Sequence, residues 1–254
     1  MNSEVATNWL VIPCYNEAER INPENVGRLL TDERVRVLLV NDGSSDDTWN
    51  VLRKIGDDLG DRVDVLGMMS NLGKAEAVRR GMNHCIAAGA EVVGYLDADF
   101  STPADEMHRL LNILDGSRDI KVVLGARWLR LGANIVRSAT RQYIGRVFAT
   151  LASYMLRMPV YDTQCGAKVF EVTDNLKSAL AEPFMSRWAF DVELLGRLRE
   201  GVHGGGGYAM ENFIEIPLDT WINVAGSKVG IRDAFVVAFE MIGIARYLRR
   251  LRNS

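Results

Sequence analysis

Short apolar segments rich in β-branched residues alternate with helical patterns through the first half of this 254-residue chain. The apolar segments are predicted strands at 9–12, 35–40, 63–68, 92–96 and 122–126. The stretches between them carry helical periodicity at 17–30, 46–59, 75–88 and 103–114. Strands and helices in this order predict an α/β fold with a mainly parallel central sheet and helices on both faces. In such a sheet, ligands bind beyond the carboxyl ends of the strands.

Polar motifs stand at four of those strand ends, where packing alone does not require them. They are Pro13-Cys14-Tyr15-Asn16-Glu17, Asn41-Asp42-Gly43-Ser44, Asn71-Leu72-Gly73-Lys74 and Asp97-Ala98-Asp99. The Gly-Lys pair of the third motif lies at a helix start, where backbone N–H groups and an ammonium suit an anion. We therefore predict that Lys74 binds ligand phosphate; the alternative is a solvated surface lysine.

Asp97 and Asp99 place two carboxylates one residue apart, directly after an apolar run. Magnesium and manganese prefer oxygen ligands, and they usually bind few protein carboxylates together with substrate phosphates. This predicts a metal–diphosphate site with Asp97 and Asp99 as ligands and Ser101 as a further candidate. The alternative is an acidic turn before a helix, because Ser101-Thr102-Pro103 is typical of a helix start.

The net charge of −3 conceals a strong asymmetry between the two halves. Residues 1–120 carry a net charge of −9, whereas residues 121–254 carry +6. Between Ile120 and Tyr161 there is no acid, but there are seven bases: Lys121, Arg127, Arg130, Arg137, Arg141, Arg146 and Arg157. Such a stretch predicts an anion-attracting surface rather than a routine ion-paired one. Sparse aromatic interleaving and the lack of a recognised motif disfavour nucleic acid, so a lipid or metabolite phosphate fits better.

Several classes of protein are disfavoured by the composition. The three cysteines and three histidines are scattered without metal-ligand spacing, which disfavours a zinc site and fits a reducing cytosol. The polar start predicts no signal peptide, and no uncharged apolar run approaches the roughly 18–20 residues of a membrane span. We therefore expect a cytoplasmic protein.

The second half has a different pattern. It predicts helices at 135–156, 189–199 and 231–251, a polar loop at 162–166, a flexible loop at 204–207 and a strand at 213–216. The last helix ends in a cluster of arginines: Arg246, Arg249, Arg250 and Arg252. This helix suits contact with an anionic membrane surface, and core packing or dimerisation of its apolar part fits equally well.

Together these motifs resemble the family-2 glycosyltransferases, and within them the dolichyl- and polyprenyl-phosphate glucose and mannose synthases. Asp162-Thr163-Gln164-Cys165-Gly166-Ala167-Lys168, Phe190-Asp191-Val192-Glu193 and the Ala225-Gly226-Ser227-Lys228-Val229 motif after Trp221 look most like the dolichyl-phosphate β-glucosyltransferases. The resemblance runs from about Leu10 to Gly230. It implies a GT-A fold with a nucleotide-sugar half at 1–126, an acceptor half at 127–230 and a basic amphipathic helix at 231–254.

The resemblance also implies the reaction. Family members of this branch transfer a hexose with inversion, from a nucleotide donor to a polyprenyl monophosphate, with Mg²⁺ or Mn²⁺. The glucosyl branch uses UDP-glucose, and GDP-mannose is the alternative donor. A lipid acceptor implies a peripheral position at the inner face of a membrane, which the C-terminal helix would contact.

Residue roles follow from the same resemblance. Asp42 is expected to accept a hydrogen bond from the uracil base; its alternative is an ordinary turn residue. Pro13, Tyr15 and Glu17 would line the nucleoside pocket, although Tyr15 also fits a core ring and Glu17 a first-turn carboxylate. Other expected roles are binding of the metal or of the ribose for Asp97, the sugar or acceptor pocket for Gln164 and Gly166, and sugar stacking or core packing for Trp221.

The acceptor would be bound by arginines. A phosphate monoester is already anionic and needs no general base, but it must be held beside another polyphosphate, for which the forked guanidinium is suited. Arg127, Arg137 and Arg141 match the acceptor-phosphate region of the family, with Arg146 as a fourth candidate. Arg137 and Arg141 share one helix face, whichever function they have.

Asp191 lies where other family-2 enzymes place a catalytic base. Because a phosphate acceptor needs none, a sugar-contacting or structural role is expected here. One alternative is a family-2 enzyme that uses a hydroxyl acceptor with Asp191 as base; a more remote one is a non-catalytic nucleotide-sugar-binding protein. A nucleotidyltransferase is disfavoured because no glycine-rich, basic loop follows the first strand, and a dehydrogenase because no Gly-x-Gly-x-x-Gly motif follows a strand.

Overall fold

A computed structural model describes residues 7–135, 139–202, 205–222 and 231–253, with side chains outside 139–144 and 231–239. The strands are β1 (Asn8–Cys14), β2 (Val35–Asn41), β3 (Val63–Gly67), β4 (Val92–Leu96), β5 (Val122–Ala126), β6 (Asn134–Ile135), β7 (Ala167–Glu171), β8 (Phe213–Pro217) and β9 (Thr220–Trp221). The helices are α1 (Pro23–Leu29), α2 (Thr48–Leu59), α3 (Lys74–Ala87), α4 (Ala104–Asp115), α5 (Ala139–Leu156), α6 (Asp174–Ala181), α7 (Phe190–Glu200) and α8 (Ile231–Arg252), with a 3₁₀ turn at Met210–Asn212.

Seven of these strands form one sheet in the order β3-β2-β1-β4-β7-β5-β8, and β6 pairs with β9 beside it. Neighbours in the large sheet are parallel except at β7, which runs antiparallel to both β4 and β5. The prediction of a mainly parallel α/β sheet is therefore confirmed. The sequence did not predict β7, because Lys168, the second of its five residues, breaks the apolar run expected of a buried strand.

The core lies on both faces of the sheet, as helix-covered parallel sheets require. Alternate residues of β1 point to opposite faces, so Trp9 and Val11 join one buried cluster while Leu10 and Ile12 join the other. Both faces of the strand are therefore apolar. This leaves the strand ends as the places where polar side chains are exposed to ligands.

The first helix is shorter than predicted. A helix was expected over 17–30, but α1 begins at Pro23, and the Asn22 side chain caps it by accepting from the Glu24 N–H at 2.9 Å. The residue before proline avoids the helical region and proline favours the first helical turn, which explains the later start. Residues 15–22 are therefore free to form the turns that follow β1.

The C-terminal helix packs on the domain. Its Met241, Ile244 and Leu248 are buried in one of the core clusters, and Leu248 lies so close to Gly196 of α7 that a Cβ there would stand 2.4 Å from it. Core packing of the apolar part, one of the predicted alternatives, is thus observed. Arg246, Arg249 and Arg250 are exposed. Within the described residues, the helices lack the length and hydropathy of a membrane-spanning segment.

Candidate active site

Asp42 ties two strand-end loops together. Its Oδ1 accepts from the Leu72 N–H at 2.8 Å and its Oδ2 from the Gly73 N–H at 2.9 Å, although the two loops are about 30 residues apart in the chain. Burial raises the pKa of the Asp42 carboxyl above its usual value, while the two backbone N–H groups and Arg187 oppose that shift. Asp42 therefore has a structural role in the loop, and its recognition of a base stays a prediction.

Lys74 reaches from the start of α3 to the turn after β4. Its Nζ lies 2.5 Å from Asp97 Oδ1, and both side chains remain partly exposed. Burial opposes the charged form of Lys74, but the carboxylates of Asp97, Asp191 and Asp99 together raise the pKa of its ammonium above the usual value. Lys74 is therefore protonated and is paired with the partly exposed Asp97, which is not the solvated surface position of the alternative interpretation.

The turn after β4 presents Asp99 beside Asp97. Phe100 adopts a left-handed conformation with φ of 50°, and the Asp99 Oδ1 accepts from the Ser101 N–H at 2.9 Å. Asp99 Oδ2 lies 3.9 Å from Arg20 Nη2, and the Arg20 Nε lies 3.4 Å from Glu17 Oε2. Asp99 thus faces the loop that follows β1, whereas Asp97 faces Lys74.

This pair fits a hard divalent cation that takes its other ligands from a diphosphate and water. Within the described residues, no group of three or more His, Cys, Asp or Glu side chains could hold a metal alone. Ser101 is buried, and its carbonyl accepts from the Ile222 N–H at 2.8 Å. The metal roles of Asp97, Asp99 and Ser101 stay predictions.

The loop after β1 carries the predicted nucleoside-pocket residues. Pro13 lies within β1 opposite Val40 of β2, and Tyr15 follows the strand with 37% of its surface exposed. Tyr15 is therefore not the core ring of the alternative interpretation. Glu17 is buried, its N–H donates to Thr48 Oγ1 at 2.8 Å, and it lies before α1, so it is not a first-turn carboxylate.

Asp191 is the centre of a buried polar cluster. Its Oδ1 accepts from the Lys168 ammonium at 2.7 Å and from the Tyr95 hydroxyl, and its Oδ2 accepts from the Gln164 amide at 3.4 Å. Lys168 is fully buried, and its Nζ also donates to the Cys165 carbonyl at 2.5 Å. Burial, reinforced by Asp191, raises the pKa of Tyr95 well above its usual value, so the phenol stays protonated as a donor. Asp191 therefore anchors the loop that carries Gln164.

Arg127 is held by the first acid beyond the basic stretch. Its Nε and Nη2 bond to the two Asp162 oxygens at 2.7 and 2.8 Å, and its guanidinium lies 5.6 Å from the centre of the Trp221 ring. Asp162 is itself held through its N–H, which donates to Glu215 at 2.7 Å. Burial opposes the charge of Arg127, but Asp162 raises its pKa above the usual value, so the guanidinium stays charged.

The inference that the basic stretch escapes ion pairing is wrong for three of its seven bases. Lys121 pairs with Glu171 at 2.6 Å, Arg127 pairs with Asp162, and Arg130 pairs with Asp219. The acids come from later strands and loops that the fold brings alongside, so an acid-free sequence is not an acid-free surface.

Of the three remaining predicted arginines, Arg146 has a described side chain. Arg137 lies outside the described residues, and Arg141 lies in α5 in the part without described side chains. Arg146 lies 3.9 Å from the centre of the Tyr161 ring, which in turn stacks on Trp128 at 5.2 Å. Trp221 is partly buried and packs against the core, as the core interpretation expects, and its sugar contact stays a prediction.

Residues 9–172 match the sequence profile of Glycosyl transferase family 2. The chain belongs to the family-2 glycosyltransferases. A dolichyl-phosphate β-glucosyltransferase of Trichomonas vaginalis is 29% identical to it over 262 residues, covering 97% of this chain and 73% of the relative. The enzyme of that name from Mus musculus is 31% identical, covering 87% and 68%. Polyprenol monophosphomannose synthase of Mycolicibacterium smegmatis is 27% identical, covering 74% and 70%.

The fold of this family-2 glycosyltransferase is also seen in a solved structure. Glucosyl-3-phosphoglycerate synthase from Mycobacterium tuberculosis, in complex with Mn²⁺, UDP-glucose and glycerol 3-phosphate, has a TM-score of 0.69 and 17% identity. The structural alignment covers 95% of this chain and 79% of the synthase chain. The likeness establishes the GT-A fold, so the predicted fold class and the assignment as a glycosyltransferase are confirmed.

Four residues that contact the candidate site were not predicted as site residues from the sequence: Arg20, Tyr95, Lys168 and Arg187. Tyr95 and Lys168 lie inside strands and their partner Asp191 comes from another element, so the motif that ends at Lys168 did not reveal this pairing. Arg20 offered a weak signal, because it follows Glu17 by three residues. Arg187 offered none, since its contact with Asn71 spans 116 residues of chain.

Proposed function

We propose that this glycosyltransferase moves glucose from UDP-glucose to a dolichyl or polyprenyl monophosphate, with inversion and with Mg²⁺ or Mn²⁺. The observation that carries the proposal is the joint placement of Lys74, Asp97 and Asp99 at the carboxyl ends of the strands. The acceptor is supported by relatives named for polyprenyl-phosphate acceptors that align across both halves of the chain.

The proposed chemistry is a single displacement. An oxygen of the acceptor phosphate attacks the anomeric carbon while the bond to the UDP oxygen breaks, so the sugar configuration inverts. Asp97 and Asp99 would hold the metal ion, whose chemistry is to neutralise the departing diphosphate. Lys74 adds a positive charge from the protein itself, in a site where a fixed charge is worth more than in water.

The acceptor phosphate is proposed to lie near the basic stretch, with Arg137 and Arg141 as its principal partners. Arg127 adds charge there, but two of its N–H groups are already engaged by Asp162. Gln164 lies at the edge of the Asp191 cluster, where it can shape the sugar or acceptor pocket. The exposed Arg246, Arg249 and Arg250 support contact between α8 and an anionic membrane surface.

Transfer of labelled glucose tests this function. We expect organic-phase label from UDP-glucose and a short polyprenyl phosphate only when Mn²⁺ or Mg²⁺ is present. Asp99→Ala should lower that transfer at least about 100-fold, because the departing diphosphate loses its main counter-charge. Arg80→Ala, a surface change on α3, serves as the control. UDP binding should become insensitive to Mn²⁺ in Asp99→Ala, a readout that needs no acceptor.

Label in water as free glucose, with no lipid product and with UDP-glucose still bound, would contradict the lipid-phosphate acceptor. If UDP-glucose does not bind, UDP-glucose is not the donor, and GDP-mannose, the sugar nucleotide of the mannosyl alternative, is tested next.

A hydroxyl acceptor with Asp191 as base is the second candidate. The structure disfavours it, because Asp191 is 4% exposed and its oxygens already accept from Lys168, Tyr95 and Gln164. Asp191→Asn keeps the shape and an acceptor oxygen, so we expect it to retain more activity than Arg137→Ala. A base at Asp191 would give the opposite ranking in the same kinetic assay.

A further inference from the structure

The segment 183–188, between α6 and α7, reaches back to the loop that carries Lys74. The Arg187 Nη2 donates to the Asn71 side-chain oxygen at 2.7 Å and lies 3.4 Å from the Asn71 carbonyl. We call residues 71–74 the donor loop. The contacts of Arg187 join the two halves of the chain at this loop.

The guanidinium also lies against Gly73. A Cβ at that position would stand 2.6 Å from Arg187 Nε and 3.3 Å from its Cζ. Gly73 has a φ of 96°, which glycine adopts at little cost, and it immediately precedes Lys74 at the start of α3. Arg187 thus covers the residue that sets the direction of Lys74.

The donor loop is therefore held from two sides. Asp42, in the first half of the chain, accepts from the Leu72 and Gly73 N–H groups. Arg187, from the second half, holds Asn71 and covers Gly73. Burial raises the pKa of the Asp42 carboxyl, and the positive charge of Arg187 is among the smaller effects that oppose this shift.

Arg187 itself stands on a fixed segment. The Ser186 Oγ accepts from the Ala189 N–H at 2.6 Å and donates to Glu240 of α8 at 2.5 Å. The carboxylate of Glu193, which is fully buried, accepts from the Met185 N–H at 2.8 Å. These contacts hold the segment around Arg187 in place, so the fold itself positions Arg187 against Asn71.

We propose that Arg187 is a positioning residue for the nucleotide-sugar donor, acting through Asn71 and Gly73 on the direction of Lys74. This rests on the proposed function, in which Lys74 faces the donor phosphates. The residue sets donor affinity and leaves acceptor affinity unchanged, because its contacts lie wholly on the donor loop and not in the basic stretch.

The test measures binding of UDP-glucose by calorimetry with Mn²⁺ present, and the KM for donor and acceptor separately. Arg187→Ala should raise the donor Kd and KM about 5- to 10-fold, the effect of losing a charge-assisted hydrogen bond. Asn71→Ala should raise both values by part of that factor, because the contact between Arg187 and Gly73 remains, and the double variant should be no worse than Arg187→Ala. Arg187→Lys should be intermediate, because an ammonium can reach Asn71 but cannot lie flat against Gly73.

Hydrogen exchange of the unliganded protein gives a readout independent of the donor. The amides of the donor loop should exchange faster in Arg187→Ala than in the parent or in Arg80→Ala, the matched surface control. Unchanged exchange, or a donor effect in Arg187→Ala that Asn71→Ala does not share, would overturn the positioning role. Faster exchange in a protein that binds neither UDP-glucose nor GDP-mannose would keep Arg187 as the support of the loop but overturn the donor site, and with it the proposed function.

Discussion

Gly166→Ala is expected to abolish transfer while leaving the fold intact. β4 and β7 are antiparallel, and their register continues to Asp97, whose N–H donates to the Gly166 carbonyl at 3.0 Å. The Asp97 carboxylate lies over Gly166, so an added Cβ would stand 2.0 Å from Oδ2 and 2.2 Å from Cγ. The carboxylate is the part that can move, and moving it separates Asp97 from Lys74 and from the proposed metal. We expect turnover to fall by at least about 100-fold.

Thermal unfolding and transfer kinetics on the same preparation check this prediction. Gly206→Ala is the matched control, since a Cβ there meets nothing within 4 Å. The melting temperature of Gly166→Ala should stay within a few degrees of the parent value. Turning the Asp97 carboxylate towards the surface removes little packing. Parental turnover in Gly166→Ala would show that Asp97 does not need its observed position.

Lys168→Met should cost about 3–5 kcal/mol in the free energy of unfolding, as breaking a buried ion pair does. Lys168 is fully buried, and its ammonium is the charged partner of Asp191 at 2.7 Å. Methionine fills the space left by the aliphatic stem but leaves the Asp191 carboxylate buried without its hydrogen-bonded cation. For a chain of this size, a loss of that order lowers the melting temperature by roughly 10 °C.

Urea denaturation of the single and double variants separates charge from packing. Lys168→Met with Asp191→Leu removes both charges, so it should recover part of the stability lost in the single variant. A control with the same loss of length and charge is Lys177→Met, at an exposed position on α6, which should change stability by less than about 0.5 kcal/mol. If Lys168→Met unfolds like the parent, the buried pair does not stabilise the fold.

Local pattern was sufficient for the framework of the donor half. β1, β2 and β4 were expected within a few residues of their observed ends, because strands buried on both faces must be apolar throughout. The carboxyl-end rule then placed Asp42, Lys74, Asp97 and Asp99 at one edge of the sheet before any distance was known. Those four residues do lie on adjoining loops there, with Lys74 beside Asp97 and Asp42 holding the donor loop.

Partners from distant parts of the chain were beyond the sequence. No residue near Arg127 in the sequence indicates that its guanidinium will pair with Asp162. The absence of acids around Arg127 predicted an unpaired arginine instead. The role of Lys168 depends on its contact with Asp191, and that of Arg187 on its contact with Asn71. Both partners come from other elements of the fold. A pairing of this kind depends on the order of strands and on how the helices close over them.

The sequence by itself determined the fold class, the family and the strand ends that form the candidate site, because hydrophobic periodicity and short motifs are local properties. The tertiary structure alone decided which charges neutralise one another. It placed the antiparallel β7 between β4 and β5, and so brought Gly166 beneath Asp97 and Lys168 against Asp191. Ion pairs and close backbone approaches depend on distances in space, and a sequence records separation only along the chain.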